Sequence, residues 1–113
     1  MGVECEVNML KKNSINSFVI LHYNEKTLVD TYECVESIKD NIDKKDNYNI
    51  TIVENGSNDS SAEKLTSKYK FDELVDIIIS KENLGFARGN NLGCEHAIKE
   101  YDPDFLIVIN NDT

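Results

Sequence analysis

Basic residues are scarce in this chain. Twelve Lys and Arg stand against twenty-one Asp and Glu among 113 residues, a formal net charge of −9. A broad nucleic-acid surface needs a basic footprint, so nucleic acid is not an expected partner. A small phosphorylated ligand needs only a local pocket and stays open. Cysteine is sparse too: Cys5, Cys34 and Cys94 are far apart, odd in number and without CxxC spacing. They read as reduced, structural or incidental thiols. No apolar run approaches the length that crosses a bilayer. The first seventeen residues lack the apolar core and small-residue cleavage site of a signal peptide. Glu6 stands where a myristoylation signal after Gly2 wants Ser or Thr. The expected location is the cytoplasm, free or at the inner face of the membrane. The usual phosphate motifs are also missing: no GxGxxG opens the first helix and no GxxxxGK[ST] occurs. That weakens dinucleotide-oxidoreductase and P-loop readings.

What is present is an alternation of apolar runs and helical stripes. Residues 1–16 hold the polar cluster Lys11-Lys12-Asn13-Ser14 and read as a loose arm. Residues 17–22, SFVILH, read as a buried strand. From Leu28 the apolar positions Leu28, Tyr32, Val35, Ile38 and Ile42 recur at one helix face, with Asn24 as N-cap and Glu25 in the first turn. Tyr48 to Glu54, YNITIVE, is β-branched and reads as a second strand. Asp59 or Ser60 then caps a short helix through Ala62, Leu65 and Tyr69. Leu74 to Ser80 is a third strand. Gly85 to Glu100 is a third helix with Phe86, Asn90, Gly93 and Ala97 on one stripe, stopped by Asp102-Pro103. Phe105 to Ile109 is a fourth strand.

The order βαβαβαβ, with strands that are continuously apolar, predicts an α/β fold: three layers, α/β/α, around a mostly parallel four-stranded sheet. One domain is expected. In such sheets ligands bind beyond the carboxyl ends of the strands. All four ends are polar here: His22-Tyr23-Asn24-Glu25, Glu54-Asn55-Gly56-Ser57, Lys81-Glu82-Asn83 with Gly85 and Phe86, and Asn110-Asn111-Asp112. A receiver-type signalling domain shares the alternation but wants an acidic cluster after the first strand, which Tyr23-Asn24-Glu25 does not supply.

The stretches VILHYN, IVENGSNDSS, ENLGFARGNNLG and FLIVINNDT resemble, in order and spacing, the motifs of family 2 glycosyltransferases. These have the GT-A fold and use nucleotide-sugar donors. The resemblance runs from Ser17 to Thr113, and the NLGFARGNN segment with the Asn-x-Asp tip looks most like the rhamnosyltransferase-type branch. It implies a Rossmann-like, nucleotide-sugar-binding half of a GT-A domain over residues 17–113. It implies that Tyr23 lies against the nucleobase, with the backbone near His22 helping to hold it. Glu54 stands where the family usually has Asp on the base or ribose, and Asn55, Gly56 and Ser57 shape the turn below. Arg88 is implied to face the donor's phosphates or base. Asn24, Glu25, Asn83, Gly85, Phe86, Asn90 and Asn91 lie in the same motifs and are candidate donor contacts. Asp112 matches the last carboxylate of the Asp-x-Asp-like motif and is implied to bind Mn²⁺ or Mg²⁺, with Asn110 in place of the first Asp.

That chemistry suits the residue types. Transfer leaves negative charge on a nucleoside diphosphate, which a hard cation on oxygen ligands stabilises. The implied donor is a UDP-, dTDP- or GDP-sugar. Several residues also have plainer readings. His22 suits a satisfied structural histidine. Arg88 suits a surface ion pair with Glu82 or Glu95. Gly85, Gly89 and Gly93 suit close packing of a helix on the sheet. The family continues past the position of Thr113 into strands that bind the acceptor and supply a general base. A donor half, weakly active or inactive alone, is therefore expected, with an exposed fourth-strand flank that self-associates, for example as a homodimer. The alternative is a non-catalytic remnant or interaction domain of the same fold that binds no nucleotide.

Overall fold

The apolar runs form strands because helices cover the sheet on both faces. The structure, a computed structural model, describes residues 14–43 and 47–109. The elements are β1 (Ile15–His22), a 3-10 turn (Glu25–Thr27), α1 (Leu28–Asn41), β2 (Asn47–Asn55), α2 (Ser61–Tyr69), β3 (Val75–Ser80), α3 (Gly85–Tyr101) and β4 (Phe105–Ile109). All strand pairs are parallel and the order is β3-β2-β1-β4. The expected fold class is the observed one: an α/β, Rossmann-like half of a GT-A fold.

One face of the sheet buries Phe18 and Ile20 of β1 and Ile50 and Ile52 of β2 against Leu28, Val35 and Ile38 of α1 and Leu65 and Tyr69 of α2. Each fully buried Leu or Ile contributes about 1.5–3 kcal/mol. This burial is what holds α2, because a helix of nine residues is marginal alone in water. On the other face α3 crosses β1 and β2. A Cβ at Gly93 would stand 2.5 Å from Val19 Cγ1 and 2.7 Å from Val53 Cγ2, so the helix sits close because it has no side chain there.

Three details differ from the expected elements, and the stop of α3 is as expected. Strand β1 starts at Ile15, where Ile15 N–H donates to Asp104 Oδ2 (2.8 Å) and Asp104 N–H donates to Ile15 O (2.9 Å). These two bonds bring the starts of β1 and β4 together. The rest of the expected N-terminal arm, residues 1–13, lies outside the described residues. Asn24 caps the 3-10 turn rather than α1, its side chain accepting from Lys26 N–H. The buried stripe of α3 is Gly89, Asn90, Gly93 and Ala97, whereas Phe86 is 61% exposed. Phe86 lies in the first turn of α3, near the carboxyl edge. Helix α3 closes on Asp102 in the left-handed conformation (φ 45°), ahead of Pro103.

The chain steps from β1 to β2 to β3 in one direction. Helix α3 then carries it back across the sheet to β4, on the far side of β1. The direction of winding reverses between β1 and β4, which is where an open α/β sheet leaves a crevice for a ligand.

Candidate functional site

The carboxyl edge is built by cross-loop hydrogen bonds. Asn55, the last residue of β2, is the central one. Its Oδ1 accepts Leu84 N–H at 3.0 Å, and its Nδ2 donates to Asn83 Oδ1 (3.1 Å) and Gly85 O (3.3 Å). Asn83 Oδ1 also accepts Gly85 N–H at 2.8 Å. These bonds tie the end of β2 to the start of α3. Gly56 lets the two backbones touch: a Cβ on it would lie 2.1 Å from the carbonyl carbon of Glu82, and its φ is +66°. Asn55, Gly56, Asn83 and Gly85, each a candidate from the sequence, are thus brought together.

A second set of bonds joins the β2 loop to the β1 loop. Ser57 Oγ accepts Asn24 N–H and Asp59 Oδ2 accepts Glu25 N–H, both at 2.7 Å. Asp59 Oδ1 meanwhile accepts Ser61 N–H at 2.8 Å at the start of α2. Partial desolvation works to raise the Asp59 carboxyl, but hydrogen bonds from Ser61 and Glu25 and the nearby His22 outweigh it and hold it below the usual carboxylate range. Asn24 itself has φ 67° and ψ 152°, a region used almost only by glycine and costing about 1–3 kcal/mol for other residues. Thr27 supports it further: its N–H donates to Asn24 O at 3.1 Å, and its Oγ1 donates to Tyr23 O at 2.9 Å. The loop so held displays Tyr23, which is 44% exposed. The sequence offers Asp59 or Ser60 as the cap of α2, and Ser60 takes the N-cap position with Asp59 one residue before it. The sequence carries no local signal for the bond of Asp59 to Glu25, which lies 34 positions away.

The remaining candidates divide. The Glu54 carboxylate is buried, and its Oε1 accepts Ser57 N–H at 2.9 Å, turned into its own loop. The His22 imidazole is fully buried, with Nδ1 2.7 Å from Thr31 Oγ1 and Nε2 3.0 Å from Ser61 Oγ. Desolvation lowers its pKa, against the opposing pull of Glu54 and Asp59. The side chain therefore ties β1 to α1 and α2, while its backbone ends at the site. The Glu25 carboxyl lies on the surface and is lowered by hydrogen bonding to Ser60 and by Lys64. Arg88 and Asn91 line a cavity of about 320 Å³ with Leu84, Leu92 and Glu95. None of the candidates from the β1 or β2 loops lines it. Among the described residues Arg88 forms no ion pair, with Glu82, Glu95 or any other partner. Asn90 is buried in α3, and its Oδ1 has no hydrogen-bond partner among the described residues.

Asn110 and Asp112, the two metal candidates, lie outside the described residues. Among the described residues no group of three or more His, Cys, Asp or Glu is placed to hold a metal ion. No helix among them is long and apolar enough to cross a membrane.

The sequence profile described as Glycosyl transferase family 2 matches residues 17–113. No curated protein matches the chain in sequence. Among solved structures, TarS 1-349 of S. aureus is similar with a TM-score of 0.64 at 18% sequence identity. The likeness covers 86% of this chain and 27% of that one, so the chain spans about a quarter of the TarS structure. At that identity the likeness shows the fold.

Proposed function

The chain belongs to glycosyl transferase family 2, and from that membership we propose that residues 17–113 are the donor-binding half of an enzyme that moves a sugar from a nucleoside diphosphate to an acceptor. The observation that carries this reading is the convergence of three strand-end loops. Asn55 ties the β3 loop to β2, and Ser57 and Asp59 tie the β1 loop to the β2 loop. Together they make a fixed polar rim with Tyr23 displayed on it, beside the point where the winding reverses. Tyr23 stacks on the base, and backbone groups of the Asn24 and Asn55–Ser57 turns face the ribose. Arg88, in the first turns of α3, is the residue we assign to the diphosphate.

Family membership also supports a divalent cation. Asp112, with Asn110 beside it, is the residue we assign to Mn²⁺ or Mg²⁺, which when bound stabilises charge on the departing diphosphate. The rhamnosyltransferase-like character of the NLGFARGNN segment belongs to this same proposal. So does a cytoplasmic site of action, where the donors named above are the available chemistry.

One observation favours the alternative, a remnant domain that binds no nucleotide. Glu54 replaces the family's usual Asp, and its carboxylate is folded into its own turn rather than offered to a base. Calorimetric titration with UDP, GDP and dTDP, each with and without Mn²⁺, separates the two. Binding of one nucleotide that requires metal and is lost in Asp112→Ala supports the donor half. A folded sample that takes none of the three supports the remnant.

A further inference from the structure

Asp59 is in none of the ligand-contacting positions above, yet its carboxylate joins the β1 loop to the start of α2 at the rim. One carboxylate oxygen holds Glu25 N–H and the other holds Ser61 N–H. The first bond acts on the residue after Asn24, whose backbone is strained. A strained residue persists only where its neighbours over-determine it. Here the N–H of Asn24 is taken by Ser57 and the N–H of Glu25 by Asp59. The bonds from Thr27 and Lys26 are made within the β1 loop itself, so without the Asp59 bond only Ser57 anchors Asn24 and Glu25 to the β2 loop. The strain at Asn24 is then less fully opposed, and Tyr23, one residue before, is held in its direction less tightly.

We propose that Asp59 is a positioning residue for nucleotide binding, holding the Tyr23–Glu25 loop in a strained arrangement that presents Tyr23 to the base. This rests on the donor-site reading above. Asp59 spans from the start of α2 to the β1 loop, so the rigid helix and sheet core set the position of the aromatic ring. Misplacing a contact by an ångström is enough to lose much of its benefit.

The test is built around Asp59→Asn. The two N–H donors meet different carboxylate oxygens, and an amide puts an NH₂ group, a donor, where one of those oxygens stood, so it cannot take both in this geometry. It keeps the bond to Ser61 N–H or the bond to Glu25 N–H, and loses one of them. The substitution also removes a negative charge, which by electrostatics alone tightens binding of an anionic nucleotide. Weaker binding is therefore evidence of lost positioning. Asp59→Ser is the second variant: a hydroxyl at this position can still accept the N–H two residues on but is too short to reach Glu25. Far-UV circular dichroism and a cooperative thermal transition establish that each variant is folded. Calorimetry with UDP, GDP and dTDP in Mn²⁺ then measures Kd for the nucleotide that the parent protein binds.

We expect Kd to rise about tenfold in either folded variant, an effect of the size a modest misplacement gives. In the double variant with Tyr23→Ala the two losses should fall well short of additive, because both act through one ring. Unchanged Kd in a folded Asp59 variant overturns the positioning role while the donor site stands. Fully additive losses overturn it as well. If the parent protein binds no nucleotide, the donor-site reading itself fails and takes this role with it.

Discussion

At the carboxyl edge, two glycines with the same backbone sign should respond very differently to a methyl group. Gly85 has φ +82° and no atom within 4 Å of an added Cβ, whereas Gly56 has φ +66° and would collide with the Glu82 carbonyl carbon at 2.1 Å. Gly85→Ala therefore incurs the left-handed conformational cost alone, about 1–2 kcal/mol. Gly56→Ala adds a clash with backbone, which cannot step aside as a side chain can, and should cost about 3 kcal/mol or more. Urea unfolding of both variants checks the contrast, and equal losses would mean that the β2 and β3 loops do not touch. His22 gives a second prediction at this scale. Burial holds its imidazole neutral, with a folded pKa below the ordinary 6.5. The unfolded chain then binds more protons than the folded one as pH falls below 6.5, so the His22 contribution is full above that value and is lost as pH drops through the folded pKa. The urea midpoint should decline from pH 7.5 to pH 5, and His22→Gln should flatten that part of the profile while lowering the plateau. A decline of unchanged shape in the variant would assign the pH dependence to other groups.

Among the elements, α3 depends most on what it omits. Alanine at Gly93 gains about 1 kcal/mol in helix propensity, yet its Cβ would press on Val19 and Val53 at under 2.8 Å. Overpacking of that kind typically costs about 1–3 kcal/mol, so Gly93→Ala should be net destabilising. Adding Val19→Ala should recover part of the loss, and a double-mutant cycle in urea measures that coupling. Additive losses would place α3 farther from the sheet. Gly89 and Gly93 made this close approach readable in the sequence, whereas Gly85, read with them as a packing glycine, has no atom within 4 Å of an added Cβ. The strands were readable for a related reason: a parallel sheet covered on both faces buries both sides of its central strands, so β1 and β2 appear as largely apolar runs, and β4 is apolar along its length although it is only partly covered. The strand order was not readable, because nothing local to β4 says that it pairs with β1 rather than β3. The assignment of Phe86 to the buried stripe failed for a similar reason. Helical spacing gives a face, while the extent of the sheet beneath decides where burial begins. At the site, the motifs marked Asn55 and Gly56 correctly as loop-shaping residues. The inward turn of Glu54 and the second bond of Asp59 depend on which loops become neighbours, and sequence spacing is silent on that.

Among the described residues the β4 end of the sheet is only partly covered. Helix α3 lies mainly over β1 and β2, so Leu106 and Val108 of β4, on the same face, are 36% and 46% exposed. On the opposite face Phe105 is 56% exposed. Strand β4 is also an edge, with its outer N–H and C=O groups unpaired by any described strand. An apolar edge strand without an inward charge or proline is prone to pair with another chain. Opposing this is the net charge of −9, which keeps two copies apart at low ionic strength and is screened as salt rises. The two effects together predict salt-promoted self-association. Sedimentation velocity of this chain should show a monomer-rich sample at low salt shifting toward dimer as salt is raised. Val108→Lys places a charge on the exposed face without touching the core and should hold the protein monomeric at both salts, with its thermal transition little changed. A dimer that instead dissociates in salt would point to an ion-paired interface elsewhere on the surface. Dimerisation unaffected by Val108→Lys would place the contact away from β4, with the free edge of β3 the next strand to test by Ile79→Lys.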